Sequence, residues 1–419
     1  MLIEFSVANY KSFWKPQKLS MVATSQKDLQ ERNTFESPVR GVERLLRSAT
    51  IYGPNAAGKS NLIKAAEFMR EFILSSAKER QEGDPIPVKP FLFVPSGASG
   101  ASEFEIHFIQ DSDRYQYGFA VNKERVTAEW LMSYPEGGRG QRWFEREYHA
   151  DKDEEEWYFG SKFTGPKKQW QEMTRKNALF LSTAIQLNSD KLKPVFNWFK
   201  NFIIIGHQSK LDPGFSMKEC LDHSRKKEIL SFMNEADLSI SDILTETKEV
   251  SEKDLPVDMP KELRNKILID LEDKKFIHAN FIHPIKGSEA HAELPLEEES
   301  DGTQKLFSYS GPWIDILKRG RVLWVDELNT SLHPKLMRFL IAMFHSEKTN
   351  KKNGQLLFTT HDTTVLDQEF MRRDQIWFVE KNDENATHLY PLSDFKPRAG
   401  EALQKNYLHG RYGAPYVNE

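Results

Sequence analysis

The chain has 419 residues, of which 39% are apolar and 29% charged, and its formal net charge is −4. This composition excludes a disordered chain and a strongly basic nucleic-acid-binding protein, and it fits either one large α/β domain or roughly two to three domains. The single cysteine, Cys220, excludes an internal disulfide framework. Because residues 1–5 lack signal-peptide features and no apolar run has the length of a membrane span, we expect a cytoplasmic protein without membrane contact.

The N-terminal part of the chain predicts strands. Leu2-Ile-Glu-Phe-Ser-Val7 alternates apolar and polar residues in the way of an edge strand, and a second candidate runs from Gln17 to Val22. Residues 103–109 and 115–121 alternate on either side of Asp111-Ser-Asp113, which predicts a hairpin.

A phosphate-binding motif stands between these strands. Gly53-Pro-Asn-Ala-Ala-Gly-Lys-Ser60 matches G-x-x-x-x-G-K-[ST], and it follows a predicted buried strand at 49–52 and opens a predicted helix. Lys59 is expected to contact the β- and γ-phosphates, and the Ser60 hydroxyl to ligate Mg²⁺. A chance Gly/Ser turn is the alternative. The residues expected to bind nucleotide here are Gly53, Pro54, Asn55, Ala56, Ala57, Gly58, Lys59, Ser60 and Asn61.

The middle of the chain changes to a helical pattern from about residue 165 to 272, broken by prolines and without a sustained heptad repeat. We therefore expect a first half of the main domain at 1–160, a helical insertion at 161–274 and a second half at 275–419. Basic residues here could touch nucleic acid, although solvated helix faces explain them as well. They are Lys162, Lys167, Lys168, Arg175 and Lys176, with Trp170 among them, and Arg225, Lys226 and Lys227.

Two apolar strands in the C-terminal part end in polar residues. Arg321 to Leu328 contains Asp326, expected to hold Mg²⁺, and Glu327, expected on the opposite pleat direction to polarise the attacking water. Capping of the following helix is the alternative for these acids. Gln355 to His361 ends in a histidine that could reach the γ-phosphate or that water.

A further candidate precedes these strands, in Glu299-Ser-Asp-Gly-Thr-Gln304. Ser300 and Gly302 lie where a helix begins, and the N–H groups at such a point attract phosphate. A serine N-cap without a ligand explains the pattern equally well. The helix pattern that follows is interrupted near Pro312. A metal site at His278, His283 and His291 is disfavoured because their spacing crosses a strand and a loop without a nearby cysteine.

In this order, a phosphate loop, a Ser-x-Gly signature, an Asp-Glu pair and a histidine resemble the ABC-type ATPases, which include SMC and RecF-type repair proteins. Asn9-Tyr-Lys-Ser-Phe13, Asp326-Glu-Leu-Asn-Thr-Ser-Leu-His-Pro334 and Gly410-Arg-Tyr-Gly-Ala414 are similar to ATP-binding proteins of bacterial anti-phage defence, such as RloA/AbiL-type ATPases and the ATPase subunit of the PARIS system. The resemblance covers residues 1–130 and 275–415. It implies an α/β fold, an ABC-ATPase-like P-loop domain with mixed sheets, interrupted by a mainly helical insertion.

The resemblance also implies an assembly and a reaction. A homodimer or higher homo-oligomer would hold ATP and Mg²⁺ between subunits, with Lys59 of one and Ser300 and Gly302 of the other on the same nucleotide. Glu327 and His361 would support slow hydrolysis, and Lys11 would reach phosphate. Such an ATPase would control a separate TOPRIM-like nuclease or toxin after a phage protein triggers it. An SMC/RecF-like DNA-repair or DNA-clamping ATPase and a non-hydrolysing scaffold remain alternatives. Asn329 stands where many relatives carry Asp, and no Q-loop glutamine can be placed.

Overall fold

The computed structural model describes residues 1–206, 212–236, 239–249, 260, 275–398 and 400–413. The described chain forms two compact units: Met1–Gln208, Leu317–Asn329 and Leu340–Glu419 make unit 1, and Ser209–Ile316 and Thr330–Phe339 make unit 2. In the described part, no helix combines the length and apolarity that crossing a membrane requires.

The described strands are β1 Leu2–Ala8, β2 Gln17–Ser20, β3 Thr34–Glu36, β4 Arg44–Leu46, β5 Ser48–Tyr52, β6 Ser102–Gln110, β7 Asp113–Val121, β8 Val126–Tyr134, β9 Gln141–His149, β10 Glu154–Phe159, β11 Ile203–Ile205, β12 Asp242–Glu249, β13 Lys275–Pro284, β14 His291–Pro295, β15 Val322–Val325, β16 Gln355–Thr359, β17 Ile376–Lys381 and β18 Thr387–Pro391. The described helices are α1 Gln30–Asn33, α2 Lys59–Ser75, α3 Pro95–Ser99, α4 Lys167–Glu172, α5 Phe180–Gln186, α6 Lys193–Asn201, α7 Gly214–Glu219, α8 His223–Glu235, α9 Asp301–Arg319, α10 Pro334–His345 and α11 Leu403–Leu408.

The larger sheet of unit 1 is antiparallel, in the order β10-β9-β8-β7-β6-β1-β2. The predicted hairpin is confirmed: Asp111 and Ser112 both have positive φ, 52° and 67°, as a two-residue hairpin turn requires. The expectation that β1 is an edge strand is wrong, because it pairs with β2 on one side and β6 on the other. Its alternation reflects one face packed on the core and not a free edge.

The second sheet of unit 1 has the order β11-β15-β16-β5-β17-β18 and is parallel except for β18. Its central strands β15, β16 and β5 are buried along their whole length. Continuous apolar strands of this kind are typical of a parallel sheet covered on both faces. The α/β fold with mixed sheets is thereby confirmed.

Helix α2 connects the two sheets of unit 1. It buries Leu62, Ala66, Met69 and Ile73, which follow one another at helical spacings of three and four and so form one stripe. Beside this stripe, the ring of Phe72 lies 5.5 Å from that of Phe119 in β7. Full burial of a leucine, isoleucine, methionine or phenylalanine side chain stabilises the folded state by about 1.5–3 kcal/mol. This packing holds the N-terminus of α2, which carries Lys59, at a set position.

The helical pattern predicted for residues 165–272 is found in α4 to α8 but is wrong at two places, and its parts at 207–211, 237–238, 250–259 and 261–272 lie outside the described residues. Ile203–Ile205 forms β11, which extends the parallel sheet beside β15, and Asp242–Glu249 forms β12, which pairs with β13. β-branched residues and pairing partners distant in sequence explain the difference. The domain boundaries given above remain a prediction.

Unit 2 contains the antiparallel sheet β12-β13-β14 and residues 301–316 of α9, a helix that runs through a proline. The expected interruption at Pro312 is wrong, since α9 is continuous from Asp301 to Arg319. A proline leaves the carbonyl four residues earlier without its helical partner. Here the Ser216 hydroxyl donates to that carbonyl, Ser308 O, at 3.3 Å and accepts from the Gly311 N–H at 3.1 Å. A side chain from α7 thus replaces the missing bond.

Candidate phosphate-binding site

The loop of residues 53–58 leaves β5 and enters α2, as predicted. Gly58 has φ 115°, a conformation that other residues rarely adopt, and a Cβ there would collide with Thr387. A Cβ on Gly53 would collide with the backbone of Val379 in β17, the neighbouring strand. Both glycines are therefore required by the packing of the loop against the sheet.

Lys59 is the buried cation of this loop, with only 6% of its surface exposed. Its Nζ donates to the carbonyl oxygens of Gly53 at 2.7 Å and Pro54 at 3.0 Å. Burial lowers the pKa of the Lys59 ammonium to about 8, and the nearby Glu327 and Asp326 carboxylates oppose that shift. A buried ammonium at a helix start fits a triphosphate, whose charge would restore the protonated form.

This shift predicts how nucleotide affinity depends on pH. A bound phosphate raises the Lys59 pKa, so above pH 8 binding must take up a proton. We expect ATP affinity to be steady from pH 7 to about 8 and then to fall by roughly tenfold per pH unit. Isothermal titration calorimetry across this range measures it. Lys59→Arg, whose guanidinium stays charged, should show a flat profile, and an equally flat wild-type profile would contradict the prediction.

The carboxyl ends of three parallel strands meet at this edge of the sheet. The loop follows β5, Asp326 follows β15 and His361 stands two residues after β16. In the sheet β16 lies between β15 and β5, and the Asp326 carboxylate is still near enough to act on the pKa of Lys59. Ligands bind beyond the carboxyl ends of such strands.

Thr359, the last residue of β16, joins the two acidic residues. Its Oγ1 donates to Asp326 Oδ1 at 2.7 Å and accepts from the Glu327 N–H at 2.7 Å. Glu327 has φ 52° and lies outside β15, so a left-handed turn and not the strand pleat directs it. The next helix begins at Pro334, which excludes either acid as its N-cap.

His361 and Asn329 complete the edge of the site. His361 Nε2 lies 3.9 Å from Glu327 Oε1, and burial together with Lys59 lowers the pKa of the imidazole, so it is neutral at pH 7. Asn329 Oδ1 accepts from Thr360 Oγ1 at 3.0 Å and from the His361 N–H at 3.2 Å. The amide oxygen of Asn329 accepts both bonds. Asn329 therefore holds residues 360 and 361 in place, although the resemblance would place Asp at this position.

The Asn9–Phe13 motif lies against the phosphate loop and contacts it through Ser12. Ser12 Oγ accepts from Asn61 Nδ2 at 2.8 Å and from Thr387 Oγ1 at 2.7 Å. Lys11 has φ 50°. Burial lowers the pKa of its ammonium, and the positive charges of Lys64 and Lys89 lower that pKa further. Contact of Lys11 or Asn61 with phosphate stays a prediction. The sequence reading missed Ser12, Thr359 and Thr387, and only Ser12 had a signal, its place in the motif.

Ser300 and Gly302 lie in unit 2. Ser300 Oγ accepts from the Thr303 N–H at 3.2 Å and so caps α9, as the alternative reading expected. A Cβ on Gly302 would meet Ser331 O at 3.5 Å and Ser300 Oγ at 3.9 Å, both ordinary contacts, so packing in this unit does not require glycine there. His283 Nε2 pairs with Glu299 Oε1 at 2.6 Å, directly before the cap.

The basic residues considered for nucleic acid are partly engaged in the fold. Trp170 is 4% exposed and its ring packs 6.0 Å from that of Phe163, so it offers no stacking face. Arg175 Nη2 donates to the carbonyl oxygens of Ala77 and Arg80. Lys226 pairs with Asp242 at 2.8 Å.

The residues present fit a magnesium-bound nucleoside triphosphate. Lys59 and the N-terminus of α2 match phosphate, while a hydroxyl, Ser60, and a buried carboxylate, Asp326, are the oxygen ligands that Mg²⁺ prefers. In such a site Ser60 and Asp326 would hold the metal, directly or through water.

The profile of a protein family described as "AAA domain, putative AbiEii toxin, Type IV TA system" matches residues 48–367. This match spans most of the chain, and the chain belongs to that family. No curated protein matches the chain.

Solved structures give weaker likenesses. The SMC head domain from Thermotoga maritima is 11% identical, with 93% of this chain and 98% of that chain covered and a TM-score of 0.40. An SMC head bound to the C-terminal winged-helix domain of ScpA is 12% identical, with 94% and 99% covered and a TM-score of 0.42. The recombination mediator RecF with ATP is 14% identical, with 93% and 97% covered and a TM-score of 0.32. At these scores the three structures assign no residue role in this chain.

Proposed function

We propose that this AAA-domain family member is a cytoplasmic ATP-binding and hydrolysing switch subunit of an anti-phage defence complex, which controls a separate nuclease or toxin. The observation that carries the ATPase part is the convergence of Lys59, Asp326, Glu327 and His361 at one edge of a parallel sheet. The family description names a toxin and a toxin–antitoxin system, which supports the defence part. Retention of ATP by the wild type and its loss in Lys59→Ala is the first test.

In the proposed reaction, Lys59 and the loop N–H groups bind and orient the phosphates. Mg²⁺, when bound, neutralises charge on the β- and γ-phosphate oxygens. Glu327 accepts a proton from the attacking water at a carboxylate oxygen. Neutral His361, 3.9 Å from that carboxylate, donates a hydrogen bond to the γ-phosphate or the water. Positioning dominates this chemistry, which is consistent with slow turnover used as a switch.

We further propose that the nucleotide is clasped between two copies of the chain, by the Lys59 loop of one and the Ser300 turn of the other. Gly302 supports this, because neither φ nor packing within unit 2 calls for glycine, whereas close approach of a phosphate to the α9 N-terminus does.

A mixing experiment tests the clasp. Lys59→Ala and Ser300→Arg are each expected to lose ATPase activity. A mixture of the two chains restores one complete site in each mixed dimer, so activity should return to up to about a quarter of wild type, the fraction of intact sites under random pairing. Mixing either variant with itself is the control. If the mixture stays as inactive as its components, the two residues do not act across subunits.

The switch role is tested by isolating the complex from cells that carry the whole native locus. We expect the chain to co-purify with one effector protein and to release it when ATP is hydrolysed, with Glu327→Gln retaining it. Repeated isolation without an effector, from a locus that encodes none, would count against this role. ATP-dependent, salt-sensitive binding of duplex DNA by the purified chain would instead favour the DNA-clamping ATPase.

A further inference from the structure

The C-terminal segment, residues 400–413, carries a motif that hydrolysis does not use. Its Tyr412 is 1% exposed, and the ring stacks on Phe378 of β17 at 5.6 Å with 19° between the planes. The Tyr412 carbonyl accepts from the Tyr390 hydroxyl at 2.8 Å. Gly413 follows with φ 83°, where a Cβ would collide with Glu380 and Tyr390. The motif therefore anchors this segment tightly on β17 and β18.

The anchored segment brings Tyr407 of α11 to the entrance of the phosphate loop. Tyr407 is 6% exposed, stacks on Phe378 at 5.5 Å and 17°, and meets Tyr52 edge-on at 5.6 Å. Burial raises the pKa of the Tyr407 hydroxyl, and the adjacent Gly53 backbone opposes that rise. Tyr52 is the last residue of β5 and Gly53 the first of the loop, so this ring contacts the point where the loop departs from the sheet.

The same segment also contacts the chain just after His361. Gln404 Nε2 donates to Thr363 Oγ1 at 2.9 Å, and Gln368 Nε2 donates to the Glu401 carbonyl at 3.1 Å. Tyr52, against which Tyr407 packs, donates its hydroxyl to the Asp362 carbonyl at 2.8 Å. The C-terminal segment thus contacts both the strand end before the phosphate loop and the chain that follows His361.

We propose that Tyr407 is a positioning residue, which holds the start of the phosphate loop and, through Tyr52, the His361 segment at their mutual distance, so that docking of the C-terminal segment sets the rate of hydrolysis. The physical reason is that Gly53 has no side chain of its own to pack, and its backbone is placed by neighbours. The inference rests on the proposed function, since it concerns the rate of that reaction.

Three variants test it: Tyr407→Ala, Tyr407→Phe and, as a control on the same helix, Lys405→Ala, whose side chain is exposed. The measurements are kcat, KM for ATP and the melting temperature. Tyr407→Phe keeps the ring but loses the hydroxyl, whose pKa the Gly53 backbone affects. We expect a wild-type melting temperature with kcat lowered about tenfold, and a loss of up to about 100-fold for Tyr407→Ala, as expected for misplaced catalytic groups. Lys405→Ala should match wild type.

The outcomes separate the two proposals. A Tyr407→Phe variant with wild-type kcat and KM overturns the positioning role, even if Tyr407→Ala fails to fold. If the wild type hydrolyses ATP and Lys59→Ala does not, such a result leaves the proposed function intact. If the wild type neither binds nor hydrolyses ATP, the proposed function itself fails, and the inference with it.

Discussion

Replacement of Glu327 by Gln is expected to lower the rate of ATP hydrolysis by about 10²–10⁴-fold while ATP remains bound. The amide keeps the shape of the side chain and the bond from the Glu327 N–H to Thr359 Oγ1 at 2.7 Å, so the left-handed turn should persist. What is lost is an oxygen able to take a proton from water. Single-turnover hydrolysis and retention of labelled ATP on a desalting column measure the two effects.

The matched control for this change is Glu384→Gln, in the exposed turn between β17 and β18. It removes one negative charge from the chain without touching the site, and it should leave both rate and retention unchanged. An undiminished rate in Glu327→Gln would remove Glu327 from its assigned role. Loss of ATP binding in that variant would instead assign the carboxylate to nucleotide binding.

Replacement of Glu129 by Ala is expected to lower the free energy of unfolding by about 3–5 kcal/mol, because it leaves a buried charge without its partner. Glu129 in β8 is fully buried and pairs with Arg146 Nη2 at 3.1 Å. Its carboxylate also accepts from the Phe180 N–H at 2.7 Å and the Leu181 N–H at 3.0 Å, the first residues of α5. The one side chain therefore partners both one nitrogen of a buried guanidinium and a helix start.

A second Glu–Arg pair of the same sheet provides the comparison. Arg142 and Glu145 on β9 approach to 2.7 Å, but their side chains are 47% and 41% exposed. Such surface pairs contribute little to stability because solvent screens the charges, so Glu145→Ala should change the urea midpoint little. Equal losses in the two variants would contradict the role given to burial. Replacing both Glu129 and Arg146 by Met should recover only part of the loss, since the α5 N–H groups stay unsatisfied.

The residues in these predictions differ in whether the sequence alone could identify them. Lys59 and Glu327 are visible in the sequence because their chemistry needs fixed neighbours along the chain: a glycine before the lysine, an apolar strand before the acids. Glu129 has no such signal. Its partners lie 17 residues away in β9 and more than 50 residues away in α5. Pairing of β8 with β9 places Arg146 opposite Glu129, and packing of Phe180 on Phe144 brings the start of α5 there.

By itself, the sequence determined the phosphate loop, its strand and helix, the strand that precedes Asp326 and the position of His361. These are local: Gly58 permits φ 115° wherever the loop lies, and continuous apolar runs form buried strands. Only the tertiary structure decided that β16 separates β15 from β5, that Thr359 joins Asp326 to Glu327, and that Tyr407 packs against Tyr52 at the start of the loop. The physical reason is that strand order and contacts between distant residues arise from burial and backbone pairing of the whole chain, which local spacing does not encode.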